Sequence, residues 1–249
     1  MYVHSSHRFN DQRDILALIE SHPLGAWVCP SRQGLLANHV PFLLDRSRGE
    51  HGTLVAHVSR ANPVWRVLPH AGPSIVLFRG PQAYITPNWY PTKTTHGQVV
   101  PTWDYVAANV HGTARAIDDV NALRDLVERL TQKHESVQPT AWKVSDAPGR
   151  YIDKMLRAIV GIEIPIDRIE AKLRASQDEA MDDRLGTVQG LGSVNALSAP
   201  APGVWAEAMR GAGRAVVVST TSGLQRGSAP PRPPARRVAP GGAAAALSV

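Results

Sequence analysis

Two clusters in this 249-residue chain have the residue types to hold an anion. The first is Lys93-Thr94-Thr95, which follows Trp89 and Tyr90 and precedes Trp103. An ammonium beside hydroxyls suits a phosphate or carboxylate, and aromatic neighbours suit a ligand with an apolar body. The second is Arg60 and Asn62, after His57 and Ser59 and just before Pro63. Asn-Pro opens helices well, with Asn as N-cap and Pro at the first helical position, and a helix N-terminus favours an anion. Each cluster also has a plainer reading. Arg60 can pair with a carboxylate while Asn62 only caps a helix, because caps and anion sites look alike in sequence. Lys93 can be a solvated loop charge. Trp89, Tyr90, Trp103 and Tyr105 can be core or dimer-interface residues rather than ligand contacts, since aromatics dominate both places.

Other chemistries lack their residues. There is no G-x-S-x-G elbow, no cysteine pair and no carboxylate pair that stands out. G-x-G-x-x-G is absent, so a dinucleotide site of that kind is not expected. His39 and His57 fall on strands as structural residues, and the other histidines are scattered without metal-ligand spacing. This leans away from an enzyme acting through its own side chains; any chemistry would belong to a cofactor that the protein positions.

The elements that must position these residues alternate short strands with a few helices. Asn10 is a plausible N-cap for a helix over Asp11–Ser21, with Ile15, Leu18 and Ile19 on one face, ended by Pro23. Strands are expected at Leu24–Pro30, Leu35–Asp45 (with Pro41 marking a bulge or an edge), Thr53–Ser59, Ser74–Ile85, Tyr105–Ile117 and Val160–Leu173. Between the fourth and fifth of these lies an aromatic loop in which Pro87, Pro91 and Pro101 argue against regular structure. A loop of that length in a compact domain is usually functional or disordered, and disorder fits poorly with so many Trp and Tyr. Helices are expected at Asp118–Ser136, the clearest in the chain, at Tyr151–Ile159, and from Asp178, fading towards Leu191. The early connections are too short for crossovers, which points to an α+β fold built on a small antiparallel barrel.

Composition adds bounds. The net charge is +6, but Ser198–Val249 carries six arginines against one glutamate, so the body is near neutral. A near-neutral body has no global footprint for nucleic acid. The segment 198–249 is rich in Pro, Ala, Gly and Arg and is expected to be a disordered tail, leaving 1–191 as the folded domain. The lone Cys29 excludes an internal disulfide and fits a reducing, cytoplasmic setting; nothing resembles a signal peptide or a membrane span.

Several segments occur in the order seen in one family. They are MYVHSSHRF at the start, HVSRANPVW (His57 to Trp65), GPQAYITPNWYPTK (Gly80 to Lys93), VVPTWDYVAANVHG (Val99 to Gly112), IVGIEIPIDRIEAK (Ile159 to Lys172) and Ser176-Gln177. With these the chain resembles the PaiB-type FMN-binding negative transcriptional regulators from Met1 to about Leu191. The resemblance implies a split β-barrel of the flavin-reductase and pyridoxamine-phosphate-oxidase type, with peripheral helices. It implies a homodimer with FMN at the interface, and Arg60, Asn62, Lys93, Thr94, Thr95, Trp89, Tyr90 and Trp103 become the candidate FMN contacts. The implied function is a cytoplasmic homodimeric repressor; the alternatives are a flavin-dependent oxidoreductase for a small substrate and a non-catalytic dimer without flavin. Direct DNA contact is doubtful, for no helix-turn-helix with a basic recognition helix is evident. Two departures matter. The family pattern has Trp-Asn-Tyr where this chain has Trp103-Asp104-Tyr105, and Ser-Gln-Asn where it has Ser176-Gln177-Asp178. A carboxylate in place of an amide would weaken binding if that amide touched an anionic ligand.

Overall fold

The computed structural model describes residues 1–193, so the expected tail lies outside the described residues. The elements run α1 (Gln12–Ser21), β1 (Leu24–Ser31), β2 (Gly34–Pro41), β3 (Leu43–Asp45), β4 (Thr53–Ser59), α2 (Val64–Val67), β5 (Ser74–Ile85), α3 (Thr92–His96), β6 (Thr102–Gly112), β7 (Arg115–Ile117), α4 (Val120–Glu135), α5 (Gly149–Arg157), β8 (Ile159–Pro165), β9 (Arg168–Arg174) and α6 (Met181–Ser193).

The strands form two antiparallel sheets, one of five strands in the order β2-β1-β5-β6-β9 and one of four in the order β3-β4-β8-β7. Three stretches expected as single strands are each split between the sheets. Leu35–Asp45 becomes β2 and β3, Tyr105–Ile117 becomes β6 and β7, and Val160–Leu173 becomes β8 and β9. Each split is a corner at which the chain leaves one sheet for the other, and the corners close the sheets into a barrel. Pro41 and Pro165 end strands at two of these corners, where the missing N–H interrupts no ladder. At the third, a Cβ on Gly112 would stand 2.2 Å from the Pro165 carbonyl oxygen, so the two corners touch and only glycine fits.

Inward-facing side chains fill the barrel. Trp27, Cys29, Leu54, Ala56, Val58, Val76, Phe78, Ala108, Val110, Ile162 and Ile164 are all buried there, and Leu18 and Ile19 of α1 pack against them. Two helices cover the outer face of the four-stranded sheet. Leu126 and Leu130 of α4 pack on Leu43 and Val55, and Leu123 packs on Ile152 and Leu156 of α5. Asp119 caps α4 by accepting hydrogen bonds from the backbone of Asn121 and Ala122. The last helix does not fade at Leu191 but runs to Ser193. It lies so close to Trp89 that a Cβ on Gly190 would come within 2.2 Å of the indole, and one on Gly186 within 2.0 Å of the Trp89 carbonyl oxygen.

These contacts make two expectations. Gly112→Ala overpacks the corner and should cost about 1–3 kcal/mol of stability in urea titrations; an unchanged midpoint would mean that the corners do not touch this tightly. Gly190→Ala forces α6 off Trp89. Amide exchange of the 92–96 and 181–193 segments should then rise while the barrel strands stay protected, and unchanged exchange there would refute the docking.

Candidate functional site

Near Gly80 the β5–β6 ladder breaks register between Arg79 and Gln82, then resumes as Gln82↔Tyr105, Ala83↔Asp104, Tyr84↔Trp103 and Ile85↔Thr102. Gly80 permits this bulge, since a Cβ there would meet Leu18 and Val106 within 2.6 Å. Beyond it the two strands form an arm whose faces alternate. The inner face carries Ala83, Ile85 and Asp104; the outer carries Gln82, Tyr84, Trp103 and Tyr105.

The inner face has its own small core. Tyr90, Ala175 and Leu191 are buried against Ala83 and Ile85, with Trp89, Leu173 and Val188 packed beside them. The aromatic loop is thus more regular than its prolines suggest. Pro87–Trp89 forms a 3-10 turn and Thr92–His96 a short helix. Pro87 opens the turn and Pro91 immediately precedes α3, where a missing N–H costs no intrahelical bond. Asp183 fastens the loop to α6 by accepting from the Thr92 N–H (3.1 Å) and the Thr92 hydroxyl (2.6 Å).

Asp104 lies at the centre of this region and is fully buried. Its Oδ1 accepts from the Ser176 N–H at 3.1 Å and its Oδ2 pairs with the Ser176 hydroxyl at 2.7 Å. Ser176 has φ 52°, the one non-glycine positive φ among the described residues, so the turn after β9 is bent to meet this carboxylate. Burial pushes the Asp104 carboxyl up to about 6; the Ser176 hydrogen bonds and the charge of Arg174 oppose the shift, and Asp178 adds to it. Burial first, and then the charges of Glu179, Asp104 and Asp183, push the Tyr90 phenol up to about 12.

The outer face is chemically different. Tyr84 and Trp103 meet edge to face with centroids 6.0 Å apart, and both are about half exposed. The next two rows are Gln82–Tyr105–Arg174 and Arg79–Ala107–Lys172. Lys172 Nζ stands 5.4 Å from the centre of the Tyr105 ring. Arg174 Nε is buried without a hydrogen-bond partner. The apolar surface continues across the sheet through Leu77 and Leu24, both exposed. A row of cations beside an aromatic wall has the donor set for a phosphorylated aromatic ligand. It fits FMN on that ground.

The residues singled out in the sequence do not gather at one place. Arg60 is turned to structure. Its guanidinium forks onto Asp118 and donates to the Arg157 and Ile159 carbonyl oxygens at 2.8 Å, tying β4 to α5, β8 and the start of α4. Asn62 donates to Asn38 Oδ1 at 2.7 Å and accepts from the Val64 N–H at 3.0 Å. The helix after it begins at Val64, one residue later than Asn-Pro suggests, and spans only four residues, too few to present an anion site. Lys93, Thr94 and Thr95 are exposed on α3, with Lys93 Nζ donating to Asn88 Oδ1 at 2.5 Å. Trp89 and Tyr90 pack in the small core, whereas Trp103 stands on the open face. No hydrogen bond or ion pair joins the Arg60 cluster to the Lys93 cluster among the described residues. Tyr84, Arg79, Lys172 and Arg174 have no local motif that marks them, and Tyr105, an aromatic with a core or interface reading in the sequence, joins them on the outer face. Strand alternation carries the signal for them, since each stands on the outer side of its strand.

Comparisons with known proteins agree with this architecture. Residues 1–168 match the family model described as "Putative FMN-binding domain". A protein of Emericella nidulans with no assigned function is 31% identical over 225 residues, covering 76% of this chain and 90% of its own length. The protease synthase and sporulation protein PAI 2 of Bacillus subtilis is 26% identical, covering 77% and 89%. Among solved structures, the flavocytochrome Anf3 of Azotobacter vinelandii superposes with a TM-score of 0.50 at 14% identity, over 67% of this chain and 68% of that one, which shows a shared fold. No helix among the described residues is long and apolar enough to cross a membrane. With the split barrel, its uncovered sheet and the matched family model, the chain belongs to the PaiB-type FMN-binding family.

Proposed function

We propose that this protein is a homodimeric FMN-binding regulator that represses transcription, with the flavin seated on the open face of the five-stranded sheet. One observation carries the reading. Helices cover one sheet of the barrel, while the other exposes Leu24, Leu77, Tyr84 and Trp103 beside Arg79, Lys172 and Arg174. Apolar surface of that extent calls for a partner. A second copy is the natural occupant, because a two-fold pairing of one sheet face buries the same patch on both subunits.

In this arrangement Lys172 and Arg174 hold the phosphate and Trp103, Tyr84 and Tyr105 wall in the ring. Lys93, Thr94 and Thr95 belong to the loop packed on the inner face of the arm and lie outside this placement. Bound flavin supplies an isoalloxazine that exchanges one or two electrons. The chain's own residues bind it, orient it and exclude water. The regulatory part rests on the sequence resemblance and on the likeness to PAI 2. A near-neutral body supports an effect on transcription that does not depend on a large basic surface.

Light scattering should give a particle of about twice the 26.9 kDa chain mass, and Trp103→Glu should halve it. Added FMN should bind and lose fluorescence. Lys172→Glu with Arg174→Glu should weaken it by about tenfold or more, as expected for charge-assisted bonds to phosphate. A monomeric wild type, or full affinity in the double variant, would sink the placement. Bleaching of the bound flavin by NAD(P)H would turn the reading towards an oxidoreductase. Operator retardation that persists with the flavin removed, and falls with salt, would establish direct DNA contact.

A further inference from the structure

Asp104 sits between two parts of the arm. Its neighbours Trp103 and Tyr105 form the outer wall, while its own carboxyl is sealed under the small core of the inner face. The seal is made by the loop containing Tyr90 and by α6, which is fastened through Thr92–Asp183 and the Trp89–Gly190 contact. A carboxylate there has two donors, both from Ser176, against complete burial. Ionisable groups approach from every side. Arg174 comes from the end of β9, Asp178 and Glu179 from the turn after it, Tyr90 from the loop, and Asp183 from α6, while His7 near the N-terminus faces Asp178 at 3.3 Å. At Asp104 itself Arg174 draws the carboxyl down and Asp178 pushes it up, while Glu179 and Asp183 bear on Tyr90.

We propose that Asp104 is a proton-linked latch, whose neutral carboxyl closes the loop and α6 tightly over the arm and whose ionised form loosens them. Protonation keeps both contacts to Ser176. The N–H continues to donate to Oδ1, and the new O–H at Oδ2 donates to the hydroxyl oxygen, which turns from donor to acceptor. The proton comes from solvent, so nothing else is consumed. Ionisation leaves a charge that water would solvate better, and water reaches it only if the loop and α6 lift. The sign follows from the raised folded value of about 6 against the ordinary 3.8. The stabilisation is complete below the ordinary value and is lost as pH rises through about 6. Between pH 5 and pH 7.5 the closed state should weaken by about tenfold. The consequence for ligand is that the Trp103–Tyr105 wall is firmer in mild acid; that step rests on the proposed flavin placement, whereas the latch does not.

Hydrogen exchange on the flavin-free, full-length protein tests the latch alone. Protection factors for 87–96 and 181–193, corrected for intrinsic rates, should be about tenfold higher at pH 5 than at pH 7.5. The barrel strands serve as the internal reference. Asp104→Asn restores the family's amide, keeps an acceptor for the Ser176 N–H, and should abolish the difference. Ser176→Ala removes a bond that favours the ionised form and should move the transition to higher pH. Glu179→Gln, a nearby acid outside the latch, should leave a transition in place. Equal protection at both pH values in the wild type, or an undiminished difference in Asp104→Asn, would overturn the proposal. If FMN affinity shows no pH step while the exchange does, the latch stands and the flavin placement falls.

Discussion

The β5–β6 ladder is the constraint on which the rest of the molecule depends. In its first part the pair is barrel wall, with Val76 and Phe78 opposite Val110 and Ala108 in the core. Past the bulge the same two strands leave the barrel, and one side becomes the floor of a second core while the other stays open. Because side chains alternate with a period of two, no residue of the arm can serve both sides. Asp104 must point into the core if Trp103 and Tyr105 point out. A one-residue slip would expose the carboxylate and bury two large rings in a space that holds Ala83 and Ile85. The bulge at Gly80 sets this phase.

The pattern explains what the sequence discloses and what it hides. Strand positions, the antiparallel barrel and α4 follow from local periodicity and short connections. The sheet corners do not, because Leu35–Asp45 and Val160–Leu173 each have the apolar content of one long strand. The change of sheet is set by contacts far apart in sequence, such as Gly112 against Pro165. The short helices of the aromatic loop are hidden for another reason. A proline is read as a breaker, yet at the start of a helix it breaks nothing.

The cations teach the same lesson. Arg60 stands in a promising local sequence, but Asp118, distant in the chain, takes its fork, and two carbonyl oxygens take two more of its donors. Lys172 and Arg174 stand in an ordinary alternating strand, and only pairing with β6 sets them beside Tyr105. Local sequence shows which side chains could bind an anion. Strand pairing determines which of them face the same surface as the aromatic wall.

The replacement of an amide by a carboxylate at position 104 is conservative in shape and not in charge. An amide is neutral at every accessible pH, so a latch built on it has one state. A carboxyl of the same size has two, and the low-dielectric site makes the neutral one the better fit. The turn after β9 holds it, since Ser176 takes a left-handed backbone that presents both its N–H and its hydroxyl. Strain of that kind persists only where the surrounding contacts outweigh it. The contacts doing so are those between the arm, the loop and α6, and they are also the contacts that keep water from the carboxyl. Closure of this small core and protonation of Asp104 are therefore one equilibrium seen from two sides.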